Sequence, residues 1–312
     1  MSAIYALPGN EDFADRLASH SGLPRRVVQV HRFPDGESRV RIEPPTPRSV
    51  VVIVCTLDHP DSKLLPLVMA AATARELGAW RVGLVAPYLA YMRQDTRFHE
   101  GEAVSARVFG QLLGGAFNWL VTVDPHLHRY RRLDDIYPLE GYVVHAAGRL
   151  AEWIARHVPR PLLIGPDGES AQWVSAVARM LGAPCVVAAK QRSGDRDVQI
   201  TLPALDAWAD CTPVVLDDII ASGRTMIATV QCLRERQLPA PVCVAVHGIF
   251  ADDAVQALHA AGAARVVTSN TIASPQAQID LSAELARVVL ERCGGPPCRP
   301  APACAAPADP TP

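Results

Sequence analysis

The stretch VVLDDIIASGRTM, residues 214–226, sets an apolar run against two adjacent carboxylates, a short polar loop and the first turn of a helical pattern. Strand, loop and helix in that order are the repeating unit of an α/β fold. Asp217 and Asp218 stand at the end of the apolar run, and Ala221-Ser222-Gly223-Arg224-Thr225 leads into RTMIATVQCLRER (224–236). Backbone N–H groups near a helix N-terminus, with the Ser222 and Thr225 hydroxyls, make a phosphate site by dipole and by donor count. Paired carboxylates one step away suit vicinal hydroxyls, or a metal bridging them. A phosphorylated sugar meets both demands. The blander alternative is that Asp218 or Ser222 merely caps the helix.

On either side of this stretch the same alternation recurs along the chain. SVVVIVC (49–55), WRVGLVAPY (80–88) and NWLVTVD (118–124) read as buried strands. Between them SKLLPLVMAAATARELG (62–78) and AVSARVFGQLLGG (103–115) have helical spacing. After a loop come strands at 160–167, 183–190, 212–218, 241–250 and 264–270, with helices at 170–182, 224–236, 251–261 and 280–292. This pattern predicts two α/β domains, each a mainly parallel sheet flanked by helices, at residues 1–145 and 146–292. Ligands in such sheets bind beyond the carboxyl ends of the strands, so polar residues that follow strands are the candidates for chemistry.

Composition sets the class. The chain has 312 residues, 49% hydrophobic and 20% charged, as expected of a globular protein. Thirty basic and 32 acidic side chains leave a formal charge of −2, which argues against bulk attraction to nucleic acid or an anionic membrane. The N-terminus lacks the pattern of a signal peptide, and no apolar segment is long enough to span a bilayer. The eight cysteines form no C-x-x-C pair, and Cys55 and Cys243 read as buried free thiols. A reduced, cytoplasmic protein is expected. The Pro/Ala-rich residues 293–312, with Cys293, Cys298 and Cys304, are expected to form a disordered tail.

Other clusters follow predicted strands. In RFPDGESRVRI (32–42), Pro34-Asp35-Gly36 makes a tight turn between extended segments. In APYLAYMRQDTRFHEGEAVSARVFGQLL (86–113), Arg93, Gln94, Asp95 and Arg97 occupy a loop whose guanidinium groups suit a polyphosphate, or are simply solvated. VTVDPHLHRY (121–130) brings Asp124, His126 and His128 to a strand end, where alternation predicts one shared direction and a metal or phosphate site is conceivable. In LLIGPDGES (162–170), Asp167 is a helix cap or a metal-associated carboxylate. VVAAKQRSGDRD (186–197) leaves a strand at Lys190 and Arg192 and turns polar.

Taken together, and in this order over roughly residues 4–290, these segments resemble the ribose-phosphate diphosphokinase family, the synthetases of 5-phosphoribosyl 1-diphosphate (PRPP). The loop at 217–225 is shared with phosphoribosyltransferases, whereas Pro-Tyr-x-x-Tyr-x-Arg-Gln-Asp (87–95) has no counterpart in them. The resemblance implies two phosphoribosyltransferase-like domains, with ATP and ribose 5-phosphate as substrates and Mg²⁺ as cofactor. It implies that Phe33, Asp35 and Glu37 hold adenine across a subunit interface, with Arg93, Gln94 and Asp95 also on the nucleotide. His126 and Asp167 belong to the ATP–Mg²⁺ site on this reading. Asp217, Asp218, Ser222, Gly223, Arg224 and Thr225 take the sugar phosphate, and Lys190 and Arg192 form a catalytic flap that closes over the transferring group. A homo-oligomer, a dimer or an assembly of dimers, follows from the shared adenine site. Ala221, Arg224 and the segment LHRYRRLDDIYPLEG (127–141) depart from the family pattern and mark a divergent branch. A phosphoribosyltransferase, a non-catalytic regulatory homologue and a diphosphokinase for another phosphorylated sugar are the alternatives.

Overall fold

The computed structural model describes residues 1–127, 129–130, 132–193 and 197–294. The first sheet is built from β1 (Ala3–Ala6), β2 (Arg25–Arg32), β3 (Ser38–Ile42), β4 (Val50–Val54), β5 (Arg81–Ala86), β6 (Trp119–Val123) and β7 (Glu140–Val144). Its seven strands lie in the order β3-β2-β1-β4-β5-β6-β7, parallel throughout except for the antiparallel β2–β3 hairpin at one edge. The second sheet contains β8 (Pro161–Gly165) and β9 (Cys185–Val187). β10 (Ala189–Ser193) and β11 (Asp197–Thr201) stand apart as a two-stranded antiparallel ribbon. β12 (Thr212–Ile220), β13 (Val242–Gly248), β14 (Arg265–Ser269) and β15 (Ala277–Ile279) complete the second sheet, whose six strands are all parallel in the order β15-β14-β13-β12-β8-β9.

The central strands are apolar without interruption because parallel sheets are covered on both faces. Every residue of VVVIV in β4, WLVTV in β6 and VCVAVHG in β13 is buried. Covering them are α1 (Glu11–Ser21), α2 (Pro60–Glu76), α3 (Ser105–Ala116), α4 (Ala147–His157), α5 (Ala171–Leu181), α6 (Arg224–Glu235), α7 (Ala254–Ala261) and α8 (Ser282–Cys293). Gly83 of β5 sits in register with Trp119 of β6, and a Cβ there would overlap the indole ring, so only glycine fits.

The two sheets share a core. Ile4, Val52 and Val121 belong to the same buried cluster as Val214, Val244, Leu285 and Val289. α8 packs against α1, and Arg149 of α4 pairs with Glu284 of α8 at 2.6 Å.

The expected alternation is met, with differences. Residues 125–159, read as a loop, contain β7 and α4. The strand expected at 183–190 is broken into β9 and β10 around Ala188, whose N–H returns to the Gly165 carbonyl at 2.8 Å. Cys293, assigned to the tail, closes α8 instead. Residues 295–312, with Cys298 and Cys304, lie outside the described residues. Cys55 and Cys243 are buried free thiols, and burial pushes both up to about 12, which leaves them unreactive. Among the described residues no helix is long and apolar enough to cross a membrane.

Candidate active site

β8 and β12 are neighbours, yet the connection from β8 runs outward to β9 and that from β12 runs the other way to β13. This reversal opens a crevice at the carboxyl ends of β8 and β12, the place where α/β sheets bind ligands. The carboxyl ends of β5, β6 and β7 from the first sheet face it. The result is one cavity of about 850 Å³, lined among others by Arg93, His126, Asp167, Asp217, Asp218 and Thr225.

β12 outruns β8: pairing with β8 stops at Val215, while pairing with β13 continues to Ile220. The two acids therefore lie inside β12, not at its tip as the apolar run implied, and they occupy the stretch where one neighbouring strand has ended. Asp218 receives a 2.5 Å hydrogen bond from His126 Nδ1, and its N–H donates to Asp217 Oδ1 at 3.0 Å. The pair titrates apart. Burial raises Asp217 well above the usual carboxylate range, and the charges of Asp218 and Asp167 push it further. Burial opposes ionisation of Asp218 too, but the hydrogen bond and charge of His126 outweigh it and hold Asp218 low.

Past β12 the chain turns through Gly223 (φ +68°) into α6, whose first turn carries Thr225 into the cavity. A side chain at Gly223 would find space but not a comfortable backbone. Ser222 and Arg224 are exposed on this turn. Asp167 caps the turn that precedes α5, its Oδ1 accepting from the N–H groups of Glu169 at 3.2 Å and Ser170 at 3.3 Å. The capping alternative is thus realised, at a position that also lines the cavity.

Several expected residues make bonds within the fold or stand away from the cavity. Asp124, at φ +31°, leaves the strand path, and it lines the cavity together with His126. Its carboxylate is bonded to His145 Nδ1 at 2.7 Å and to the Ala146 N–H at 2.8 Å, at the start of α4. His128 lies outside the described residues. Gln94 supports the start of α3, accepting from the Ser105 hydroxyl at 2.7 Å and, through its carbonyl, from the Ala106 N–H at 3.2 Å. Asp95 is buried and bonded to Arg129 Nη1 at 2.6 Å. Phe33, Asp35 and Glu37 are exposed on the β2–β3 turn and do not line the cavity. There the Glu37 N–H donates to Asp35 Oδ1 at 3.1 Å, closing the expected turn. Lys190 and Arg192 stand on β10, opposite Ile200 and Val198 of β11, in a ribbon that packs on α6.

Sequence reasoning missed His145, Gln172 and Trp173, which also line the cavity. His145 directly follows β7, so the rule that polar residues after strands matter would have found it had β7 been read as a strand. Its hydrogen bond to Asp124 raises the imidazole, against the opposing pull of burial.

Comparison with known proteins agrees with this geometry. Residues 2–116 match the model for the N-terminal domain of ribose phosphate pyrophosphokinase, and residues 140–279 match that of the phosphoribosyl transferase domain. A ribose-phosphate pyrophosphokinase from Methanopyrus kandleri is 30% identical over 281 residues, covering 89% of this chain and 95% of the relative. The chain belongs to the ribose-phosphate pyrophosphokinase family. Another member, from Methanobrevibacter smithii, is 28% identical over 90% of this chain and 98% of its own length. The solved phosphoribosylpyrophosphate synthetase from Mycobacterium smegmatis superimposes with a TM-score of 0.79 at 22% identity, covering 93% of this chain and 99% of that one, a likeness of fold. Membership makes the chain an enzyme of diphosphoryl transfer, as the motifs implied, and neither the phosphoribosyltransferase nor the regulatory alternative is favoured.

Proposed function

We propose that this chain transfers the β,γ-diphosphoryl group of ATP to the C1 hydroxyl of ribose 5-phosphate, giving PRPP and AMP, in the cavity between the two sheets. The observation that carries the reading is the His126–Asp218 bond: a residue assigned to ATP, from the first sheet, meets one assigned to the sugar, from the second. The division of labour is ATP binding by residues 1–145 and sugar-phosphate binding by 146–292.

Ionised Asp218 accepts a hydrogen bond from a ribose hydroxyl, and Asp217, which keeps its proton more readily, either donates or accepts toward the neighbouring one. The first turn of α6 offers its N–H groups and the Thr225 hydroxyl to the 5-phosphate, with Ser222 and Arg224 completing the cradle. Arg93 lies against the polyphosphate. Phe33, Asp35 and Glu37, outside the cavity of their own chain, serve the adenine site of a second copy, so the active form is a homo-oligomer. Lys190 and Arg192 close over the transferring group and act mainly in the transition state, since positioning and charge stabilisation supply most of the catalysis in such transfers.

Magnesium fits the donor set. Asp124, Asp167, Glu169, Asp217 and Asp218 line the same cavity, and a polyphosphate could not enter so many carboxylates without a hard cation. Among the described residues no three His, Cys, Asp or Glu side chains form a ready cluster, which suits an ion that arrives with the nucleotide. His126 and Asp167 would hold it, and it would offset the charge on the transferring phosphates. Buried free thiols are consistent with a cytoplasmic setting.

The test is to count nucleotide products. With ATP, Mg²⁺ and ribose 5-phosphate, AMP should form in equal amount to PRPP, and omission of the sugar should stop it. ADP as the main product would mean transfer of a single phosphoryl group and would end this reading.

A further inference from the structure

His247 of β13 is only 1% exposed, and the reading above gives it no part. Its ring reaches in three directions. Nε2 lies 3.2 Å from the carbonyl oxygen of Val123, the last residue of β6 in the first sheet. Nδ1 lies 2.9 Å from the Thr271 hydroxyl, just beyond β14 of the second sheet. The edge of Tyr88, five residues before Arg93, packs on it with centroids 5.0 Å apart. The contact continues through the first sheet: Thr56 donates its hydroxyl to the Thr271 carbonyl at 2.9 Å and its N–H to Asn10 Oδ1 at 2.6 Å.

The protons can be assigned. A carbonyl only accepts, so Nε2 carries the hydrogen given to Val123, and Nδ1 of the neutral ring accepts from Thr271. The Ser269 hydroxyl then serves the Val246 carbonyl at 2.6 Å, and every buried group in the set has a partner. Burial favours this neutral ring by pushing its pKa down.

We propose that His247 is a positioning residue, holding the end of β6 against β13 so that His126 from one sheet meets Asp218 from the other. Val123 is three residues before His126, and Ile219, the register partner of His247 on β12, directly follows Asp218. The ring therefore ties the two halves of the cavity three residues before His126 and beside the residue that follows Asp218. Its effect falls on the alignment of two substrates, not on the hold over either one. This inference rests on the assignment of His126 to ATP and Asp218 to the sugar.

The experiment compares His247→Leu, His247→Gln and Thr271→Val in the full chain. It measures Kd for ATP alone, Kd for ribose 5-phosphate alone, kcat and Tm. In His247→Leu each substrate alone should bind within about threefold of wild type while kcat falls about a hundredfold, the scale of a slight misplacement of reacting groups. Glutamine can donate to Val123 and accept from Thr271, so His247→Gln should regain most of kcat. Thr271→Val should lower kcat by a smaller factor in the same manner. Wild-type kcat in His247→Leu with a lower Tm would overturn the proposal, leaving His247 a staple between sheets. So would weaker binding of one substrate only, or a glutamine variant no better than leucine. Should the leucine variant not fold, the other two variants decide by the same readings. Failure of the underlying assignment is separable, because it would appear as unchanged ATP affinity in His126→Ala.

Discussion

At the scale of the residue, the cavity is governed by two neighbouring acids, one held well above the usual carboxylate value and the other below it. Asp217 binds its proton more tightly in the folded chain than in the unfolded one. Stability is therefore lost as pH rises from the ordinary carboxylate value of 3.8 toward the raised one. Asp217→Asn keeps the oxygen that accepts the Asp218 N–H and removes the charge. The variant should melt at a higher temperature than wild type at neutral pH, lose that advantage below the ordinary value, and bind sugar phosphate more weakly. Equal melting temperatures at neutral pH would show that this carboxyl is under no pressure. The acids, Asp167, His126 and Thr225 were legible in the sequence because each lies within or just beyond a strand that opens on a largely apolar run. The bonds that Gln94 and Asp95 make within the fold were not. Their partners, Ser105 and Arg129, lie 11 and 34 residues away, and spacing carries no sign of such bonds.

At the scale of the element, the strands read correctly were those buried on both faces, such as VVVIV at 50–54. β7, EGYVV, is half-exposed at the sheet edge, and its composition does not separate it from loop. Nor does the polar sequence of β10 and β11 announce a ribbon, since two strands that pair mainly with each other need no apolar run. Placing Lys190 and Arg192 on that ribbon makes a kinetic claim. Lys190→Ala should lower kcat by at least about a hundredfold and leave the KM values for ATP and sugar phosphate nearly unchanged. Collapse of binding with surviving turnover would remove the flap role. Packing makes a separate claim, for Gly83→Ala must displace the buried Trp119 ring. Overpacking of that kind costs about 1–3 kcal/mol, which chemical denaturation would detect and an unchanged midpoint would refute.

At the scale of the whole molecule, the two sheets form one body with a common core, and the cavity is a product of their union. Neither half carries it alone: Arg93 and His126 come from the first sheet, Asp167, Asp217, Asp218 and Thr225 from the second. The sequence made both sheets visible and left this union hidden, because the contacts of α8 with α1 join opposite ends of the chain. Sharing is proposed to extend to a second copy through the β2–β3 turn. Protomers bearing Phe33→Ala, mixed with protomers bearing Lys190→Ala, should then regain activity, approaching about a quarter of wild-type sites for random pairing in a symmetric dimer. Activity no higher than the mean of the two parents would place the adenine site within one chain.

The measurement that bears most directly on the central claim is ³¹P NMR of the full chain with ATP, Mg²⁺ and ribose 5-phosphate. The ATP signals should disappear as AMP grows, and a new pair of coupled resonances should appear from a diphosphate on C1 of the sugar. ATP left intact, where another family member turns over under the same conditions, would contradict that claim.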